Sequence, residues 1–116
     1  YRHQCFETTK LIVKKLGLKE GTYSNSFQSR LLKDPWLKPY SDYEIEKFPK
    51  EGKKNLAVIT PAFVSDCLET LEEIAMEGKD EFLKAGGSEY KHIPCMNDND
   101  NWVDVNVKWI SNWSES

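Results

Sequence analysis

Apolar residues recur at three- and four-residue steps along the chain, the spacing that one face of an amphipathic helix requires. The first such stretch covers residues 3–16 and is followed by Gly17, a common helix stop. The second begins at Ser41, whose hydroxyl can cap a helix, and runs towards Gly52. Pro49 lies near its end and is expected to kink or shorten it. The first half of the chain therefore predicts two helices.

Two more helices are predicted in the second half. One can be capped by Ser65 or Asp66 and continues to Gly78, with a further turn that closes at residues 86–87. The other covers about residues 99–113. Its aromatic stripe consists of Trp102, Trp109 and Trp113. Aromatic stripes at helical spacing usually pack into a core, so we expect this helix to bury them.

Three short stretches between the helices favour β-strands. Residues 21–29 are polar but rich in β-formers, residues 55–60 (NLAVIT) form an apolar run typical of a strand covered on both faces, and residues 89–94 follow as a third. Helices and strands then alternate, which predicts an α/β fold with a parallel sheet flanked by helices. Three strands are few for this architecture, so we expect a leading strand to be missing.

The loops that follow the predicted strands are the expected place for a ligand. In open parallel sheets ligands bind beyond the carboxyl ends of the strands. The loops at residues 30–40, 61–66 and 94–100 should therefore share one rim.

Composition narrows the class of protein. With 116 residues, 39% of them hydrophobic and 30% charged, the chain fits one globular domain. The net charge of −3 comes from mixed signs without a basic stripe, which argues against nucleic acid. No apolar run is long enough to span a bilayer and the start matches no targeting peptide, so we expect a cytoplasmic protein. The chain opens without Met directly into a helical pattern, which suggests a piece of a longer protein.

A row of carboxylates is the candidate chemistry. Its members are Glu69, Glu73 and Glu77, spaced i, i+4 and i+8 on the third predicted helix. Like charges at this spacing repel by a few tenths of a kcal/mol per pair. The row could be a solvated acidic face relieved by Lys79 and Lys84. It could also supply hard oxygen ligands along a path for a divalent cation, starting beside Asp66 at the rim.

Three motifs in order make the chain resemble the bacterial ferrochelatases. They are FQSR at residues 27–30, PWLKPYSD at 35–42 and PAFVSDCLETLEEI at 61–74, and the likeness extends to about Trp102. The resemblance implies a porphyrin held between two similar Rossmann-like domains. This chain would then be a three-layer, chelatase-like C-terminal domain, residues 1–116, of a longer two-domain protein.

The resemblance also implies roles for individual residues. Glu69 falls on the family's catalytic glutamate, and Glu73 and Glu77 match an acidic ladder on a widened, π-type helix turn. With Asp66, these three are the candidate metal ligands. The candidate porphyrin contacts are Arg30, Trp36, Tyr40 and Phe63. The two loop aromatics could instead pack under their loop, and the arginine could be an ordinary surface residue.

The family's catalytic His belongs to a motif upstream of the position matched by Tyr1, so this chain lacks it. His3 begins a predicted helix and His92 lies inside the third predicted strand, and we expect neither to replace it. The opposite wall of the cleft would come from the missing N-terminal domain. We therefore expect the isolated chain to be inactive.

The implied activity is that of a lyase of haem biosynthesis, which inserts ferrous iron into protoporphyrin IX or a related porphyrin. Iron and porphyrin are then substrates, and no tightly bound cofactor is expected. The three cysteines, Cys5, Cys67 and Cys95, have no Cys-x-x-Cys pair, so no iron–sulfur cluster is expected either. Two alternatives stay open: a fragment that only binds metal or porphyrin, and a related tetrapyrrole cobalt chelatase.

Overall fold

The computed structural model describes residues 1–28 and 35–115 of the chain. It contains four α-helices, one π-helix and two strands in this order: α1 (Arg2–Leu16), α2 (Ser41–Lys50), β1 (Asn55–Val58), the π-helix (Glu69–Gly78), α3 (Lys79–Lys84), β2 (Glu89–His92) and α4 (Asp100–Glu115). The α/β class predicted from the sequence is confirmed.

The two strands lie side by side in a parallel sheet. Asn55 pairs with Glu89, and Val58 pairs with His92. The crossover between them carries the π-helix and α3, as parallel neighbours require. The carboxyl ends of both strands therefore open onto the same edge of the molecule.

The helix ends follow local chemistry. Gly17 closes α1 in a left-handed conformation at φ 68°, which costs glycine little. Asp42 and Glu44 place negative charge in the first turn of α2, where the helix dipole favours it. Pro49 lies in the last turn and the helix ends one residue later, so the expected shortening is confirmed.

The predicted strand at residues 21–29 is wrong over its described part. Only Phe27 forms a bridge, a single parallel pairing with Tyr40. The Phe27 N–H donates to the Pro39 carbonyl at 2.8 Å, and the Ser41 N–H donates to the Phe27 carbonyl at 2.9 Å. Pro39 has no N–H with which to extend the ladder, and the polar residues before Phe27 have no apolar face to bury.

The expectation that β1 is covered on both faces is also wrong. Leu56 and Val58 are half-buried, whereas Asn55 and Ala57 are exposed. The strand ends before Ile59, which is 51% exposed. Within the described part of the chain, the sheet therefore has one covered and one open face.

A small core lies between α2, the π-helix, α3 and the covered face of β2. Phe82 is fully buried, Ile74 is 2% exposed and Ile45 is 5% exposed. The ring of Phe82 packs against that of Tyr90 with centroids 5.7 Å apart. Burying one such apolar side chain contributes about 1.5–3 kcal/mol, so these few residues hold the π-helix against the sheet.

The outer helices α1 and α4 bury none of their residues. Trp102 is half-buried, but Trp109 is 59% exposed and Trp113 is 79% exposed. The expected burial of this aromatic stripe is therefore wrong for the last two residues. The described part of the chain offers no core large enough to cover α4. No helix among the described residues is long and apolar enough to cross a membrane.

Candidate active site

The loops after β1 and β2 meet at one rim, as predicted. The Ile93 N–H donates to the Val58 carbonyl at 2.9 Å and carries the pairing just past the strand ends. Farther out, the Asn97 N–H donates to the Val64 carbonyl at 3.0 Å. The Cys95 thiol and the Thr60 hydroxyl lie 3.4 Å apart. Residues 59–68 and 93–99 thus form one continuous surface beside the π-helix.

Asp66 lies where these two loops touch. Its Oδ1 accepts the Thr70 hydroxyl at 2.9 Å, and its Oδ2 accepts the Asn97 side-chain amide at 2.9 Å and the Cys95 N–H at 3.2 Å. These donors, first among them Asn97, lower the pKa of Asp66 from 3.8 to about 2. The carboxylate is therefore ionised at any ordinary pH.

A widened helix begins three residues after Asp66. Residues 69–78 adopt π-helical geometry, which confirms the π-type turn that the resemblance implied. The Tyr90 hydroxyl donates to the Ile74 carbonyl at 2.6 Å in the middle of this helix. Gly78 leaves room for that hydroxyl, since a Cβ there would lie 2.6 Å from it. None of these contacts was predicted from the sequence.

Glu69 is the first residue of the π-helix and is exposed at the rim. A hydrogen bond from the Cys67 thiol, followed by one from its own backbone N–H, lowers the pKa of the Glu69 carboxyl. Its carbonyl oxygen receives a long contact of 3.5 Å from Gln28 Nε2. These local donors outweigh the partial loss of solvent, which alone would raise the pKa of Glu69.

Glu73 and Glu77 lie farther along the π-helix and line a groove of about 300 Å³ against the start of α2. Three more carboxylates line the same groove: Asp42, Glu72 and Glu81. Burial, and then the negative charges of Asp42, Glu77, Glu46 and Asp80, raises the pKa of Glu81. The electrostatic repulsion expected among the carboxylates therefore acts on Glu81, four residues beyond Glu77.

The predicted metal residues do not form one cluster. Among residues 1–28 and 35–115, no three His, Cys, Asp or Glu side chains converge closely enough to hold a metal ion. Asp66 is held in the rim, Glu69 is exposed at the helix start, and Glu73 and Glu77 face the groove.

The predicted porphyrin contacts that the structure describes lie in two separate loops, one before α2 and one after β1. Trp36 is 40% exposed, and its indole N–H donates to the Gln28 carbonyl at 2.9 Å. Gln28 thus links this tryptophan to Glu69. Tyr40 is half-buried and packs edge-on against Tyr43, and Phe63 is half-buried in the loop after β1. Arg30 lies outside the described residues.

The two histidines lie in different elements, and neither was expected to replace the catalytic His of the family. His3 is exposed on α1. His92 ends β2, and its Nε2 lies 3.9 Å from Asp66 Oδ1, buried and with no hydrogen-bond partner in the described part of the chain.

Several residues of this site were not predicted from the sequence: Gln28, Cys67, Thr70, Glu72, Glu81 and Asn97. Two of them left a signal. Thr70 stands four residues after Asp66, and Glu81 continues the four-residue spacing of the carboxylate row. Asn97 left none, because its partner is 31 positions away.

Comparison with known proteins gives a consistent result. A family model described as ferrochelatase matches residues 1–113. A ferrochelatase of Opitutus terrae is 46% identical over 116 residues, all of this chain and 34% of that protein. One from Pseudomonas putida is 49% identical over 105 residues, and one from Bdellovibrio bacteriovorus is 50% identical over 103. Those alignments cover 90% and 89% of this chain and 31% of each relative. The chain thus spans about a third of the length of these curated relatives.

Proposed function

The chain belongs to the ferrochelatase family, and on that premise we propose that the whole protein inserts ferrous iron into a porphyrin, as a lyase of haem biosynthesis. Protoporphyrin IX is the proposed ring. The observation that carries the proposal is the position of Glu69, exposed at the rim on the first residue of a π-helix. π-Helical turns occur frequently at functional sites.

Metal insertion requires two pyrrole protons to leave as the iron reaches the ring nitrogens. An ionised carboxylate beside the ring can accept a proton or attract the cation. The Cys67 thiol is the first cause that lowers the pKa of Glu69, so the group is ionised at neutral pH. We propose that Glu69 acts beside the ring either by drawing the cation in or by accepting a proton.

The groove along the π-helix supports a second assignment. Glu73 and Glu77 line it together with further carboxylates, so its field favours divalent cations over anions. Carboxylate oxygens are the ligands that hard cations prefer. We propose this groove as the path by which iron reaches Glu69, or by which protons leave.

The porphyrin contacts remain proposals at the residue level. Trp36 is 40% exposed and Gln28 links it to Glu69, so its ring is suited to contact the edge of a flat macrocycle. Tyr40 and Phe63 are half-buried and offer less apolar surface. Arg30 is proposed for a porphyrin propionate on charge alone.

The rest of the whole protein completes the proposal. We propose that this chain is the C-terminal domain of a two-domain protein and that the remaining domain supplies the catalytic His and the other wall of the cleft. We further propose a cytoplasmic protein without a tightly bound cofactor or an iron–sulfur cluster. By the same proposal, the isolated chain has no turnover.

Replacing Glu69 by glutamine in the full-length protein tests the assignment. Glutamine keeps the size of the side chain and removes its charge. We expect the rate of iron insertion, followed by porphyrin absorbance, to fall by at least about a hundredfold. Zinc and cobalt as alternative metals would show whether the protein is instead a cobalt chelatase.

The matched control is Glu89→Gln. Glu89 is also exposed, but it lies at the amino end of β2, opposite the rim. The Glu89→Gln variant should insert iron at the wild-type rate. Normal turnover of Glu69→Gln would remove Glu69 from the reaction, and a wild-type protein that inserts no metal would refute the proposed function itself.

A further inference from the structure

The carboxylate of Asp66 is enclosed by donors from its own chain. Only 13% of its side chain is exposed. Three hydrogen bonds from Thr70, Asn97 and Cys95 reach its two oxygens. A carboxylate offers about four lone-pair sites, so the protein occupies most of them. Such a group is poorly placed to bind a passing ion.

Asn97 forms hydrogen bonds with both the side chain and the backbone of Asp66. Its amide donates to Asp66 Oδ2 at 2.9 Å, and its Oδ1 accepts the Asp66 N–H at 2.8 Å. The Asn97 N–H in turn binds the Val64 carbonyl at 3.0 Å. One residue of the loop after β2 thus fixes both the backbone and the side chain of the loop after β1.

Thr70 carries this fixation into the π-helix. Its side chain is fully buried, and its hydroxyl donates to Asp66 Oδ1 at 2.9 Å while accepting the Cys67 N–H at 2.9 Å. Glu69 is the residue immediately before Thr70 and shares its helical turn. The direction of the Glu69 side chain therefore depends on contacts made by its neighbour.

We propose that Asp66, Asn97 and Thr70 form a positioning clamp that aims Glu69 at the porphyrin, and that Asp66 serves the reaction through this clamp and not as a metal ligand. The inference rests on the proposed function, in which Glu69 is the catalytic carboxylate. A misplacement of about 1 Å can cost about a hundredfold in rate. Loosening the clamp therefore lowers turnover, although no group that touches substrate has been removed.

Asn97→Ala in the full-length protein is the central test. It removes both bonds to Asp66 and leaves every carboxylate in place. The matched control is Asn99→Ala, in the same loop, which loses only the bond from the Asn101 N–H to Asn99 Oδ1 at 3.0 Å. Iron insertion is measured with kcat and the KM for iron determined separately, well below the melting temperature of each variant.

The clamp predicts that Asn97→Ala lowers kcat by about tenfold or more while the KM for iron stays within about twofold. Asn99→Ala should keep the wild-type kcat. If both variants lose stability alike and both keep kcat, the clamp only stabilises the fold and the proposal fails. If Asn97→Ala raises the KM for iron with kcat unchanged, the rim binds metal and the proposal also fails.

A second pair of variants keeps the test decisive if Asn97→Ala does not fold. Thr70→Val has nearly the same shape but loses the hydroxyl, and Thr70→Ser retains it. We expect the valine variant to lose about tenfold in kcat and the serine variant to recover most of that loss. Equal kcat in the two variants would overturn the proposal.

Glu69→Gln in the same assay separates this inference from the function on which it rests. Loss of turnover in Glu69→Gln together with a normal Asn97→Ala would refute the clamp alone. Normal turnover in Glu69→Gln would refute the catalytic assignment, and with it the purpose of the clamp.

Discussion

Glu81 continues the carboxylate row by one more step of four residues and lines the groove with Glu73 and Glu77. Burial first, and the negative charges of its neighbours second, raise the pKa of Glu81 above its ordinary value of 4.5. The folded protein therefore binds a proton at Glu81 more tightly than the unfolded chain does. The resulting stability is present below pH 4.5 and is lost as the pH rises through the folded pKa.

Glu81→Gln should consequently stabilise the full-length protein at neutral pH, because glutamine mimics the protonated acid. We expect a higher melting temperature than wild type at pH 7 and no difference near pH 4, measured by circular dichroism. Glu7→Gln, on the exposed surface of α1, is the control and should show no such dependence. An effect of Glu81→Gln that is equal at both pH values would show that charge is not its cause.

The π-helix is the element on which the site depends, and its middle is held by one buried hydroxyl. Tyr90 donates to the Ile74 carbonyl at 2.6 Å, and burial, with a smaller contribution from the charge of Glu81, raises the pKa of Tyr90 far above its usual range. The hydroxyl therefore stays protonated and able to donate. Gly78 allows this approach because it has no Cβ.

Tyr90→Phe should lower the free energy of unfolding by about 1–3 kcal/mol, the cost of an unsatisfied buried carbonyl. Tyr23→Phe is the control, since the Tyr23 hydroxyl bonds to Glu20 on the surface. Gly78→Ala should destabilise the wild type, where its Cβ would lie 2.6 Å from the Tyr90 hydroxyl, and should cost less in the Tyr90→Phe background, where only the contacts at 3.3 Å with Ile45 and the ring remain. Additive effects of the two changes in urea unfolding would contradict this contact.

Sequence patterns predicted the helices and the two paired strands because these depend on local periodicity. They failed at residues 21–29, where the single bridge of Phe27 depends on a hydrogen bond to Pro39, twelve positions later. The π-helical geometry was predicted from the family resemblance alone, because a row of carboxylates at four-residue spacing fits an α-helix as well as a π-helix. Within the site, the position of Glu69 could be predicted, but the partners of Asp66 could not, because Asn97 lies 31 positions away.

At the scale of the whole molecule, the apolar face of α4 has no counterpart among the described residues that buries it. Val103, Val107 and Ile110 are 46%, 56% and 66% exposed on one side of the helix. Curated relatives are about three times as long as this chain. We expect the remaining part of the full-length protein to cover this face, because contiguous apolar patches rarely stay in water.

Ile110→Glu in the full-length protein should then lower the free energy of unfolding by at least about 2 kcal/mol, since a charge would replace a buried apolar side chain. Asn112→Glu adds the same charge on the opposite side of α4 and should change stability by less than about 0.5 kcal/mol. Both are measured by urea unfolding. Equal stability of the two variants would show that the Ile110 side of α4 stays in water in the whole protein.

Asn97 must satisfy two separate demands. Its backbone has φ 50°, a conformation that glycine, asparagine and aspartate accept more readily than other residues. Its side chain gives one hydrogen and takes another, which glycine cannot do and an ionised aspartate can do only in part. Asparagine meets both demands, so we expect other residues at this position to weaken the contact between the two loops, although Asn97 has no proposed contact with the substrate.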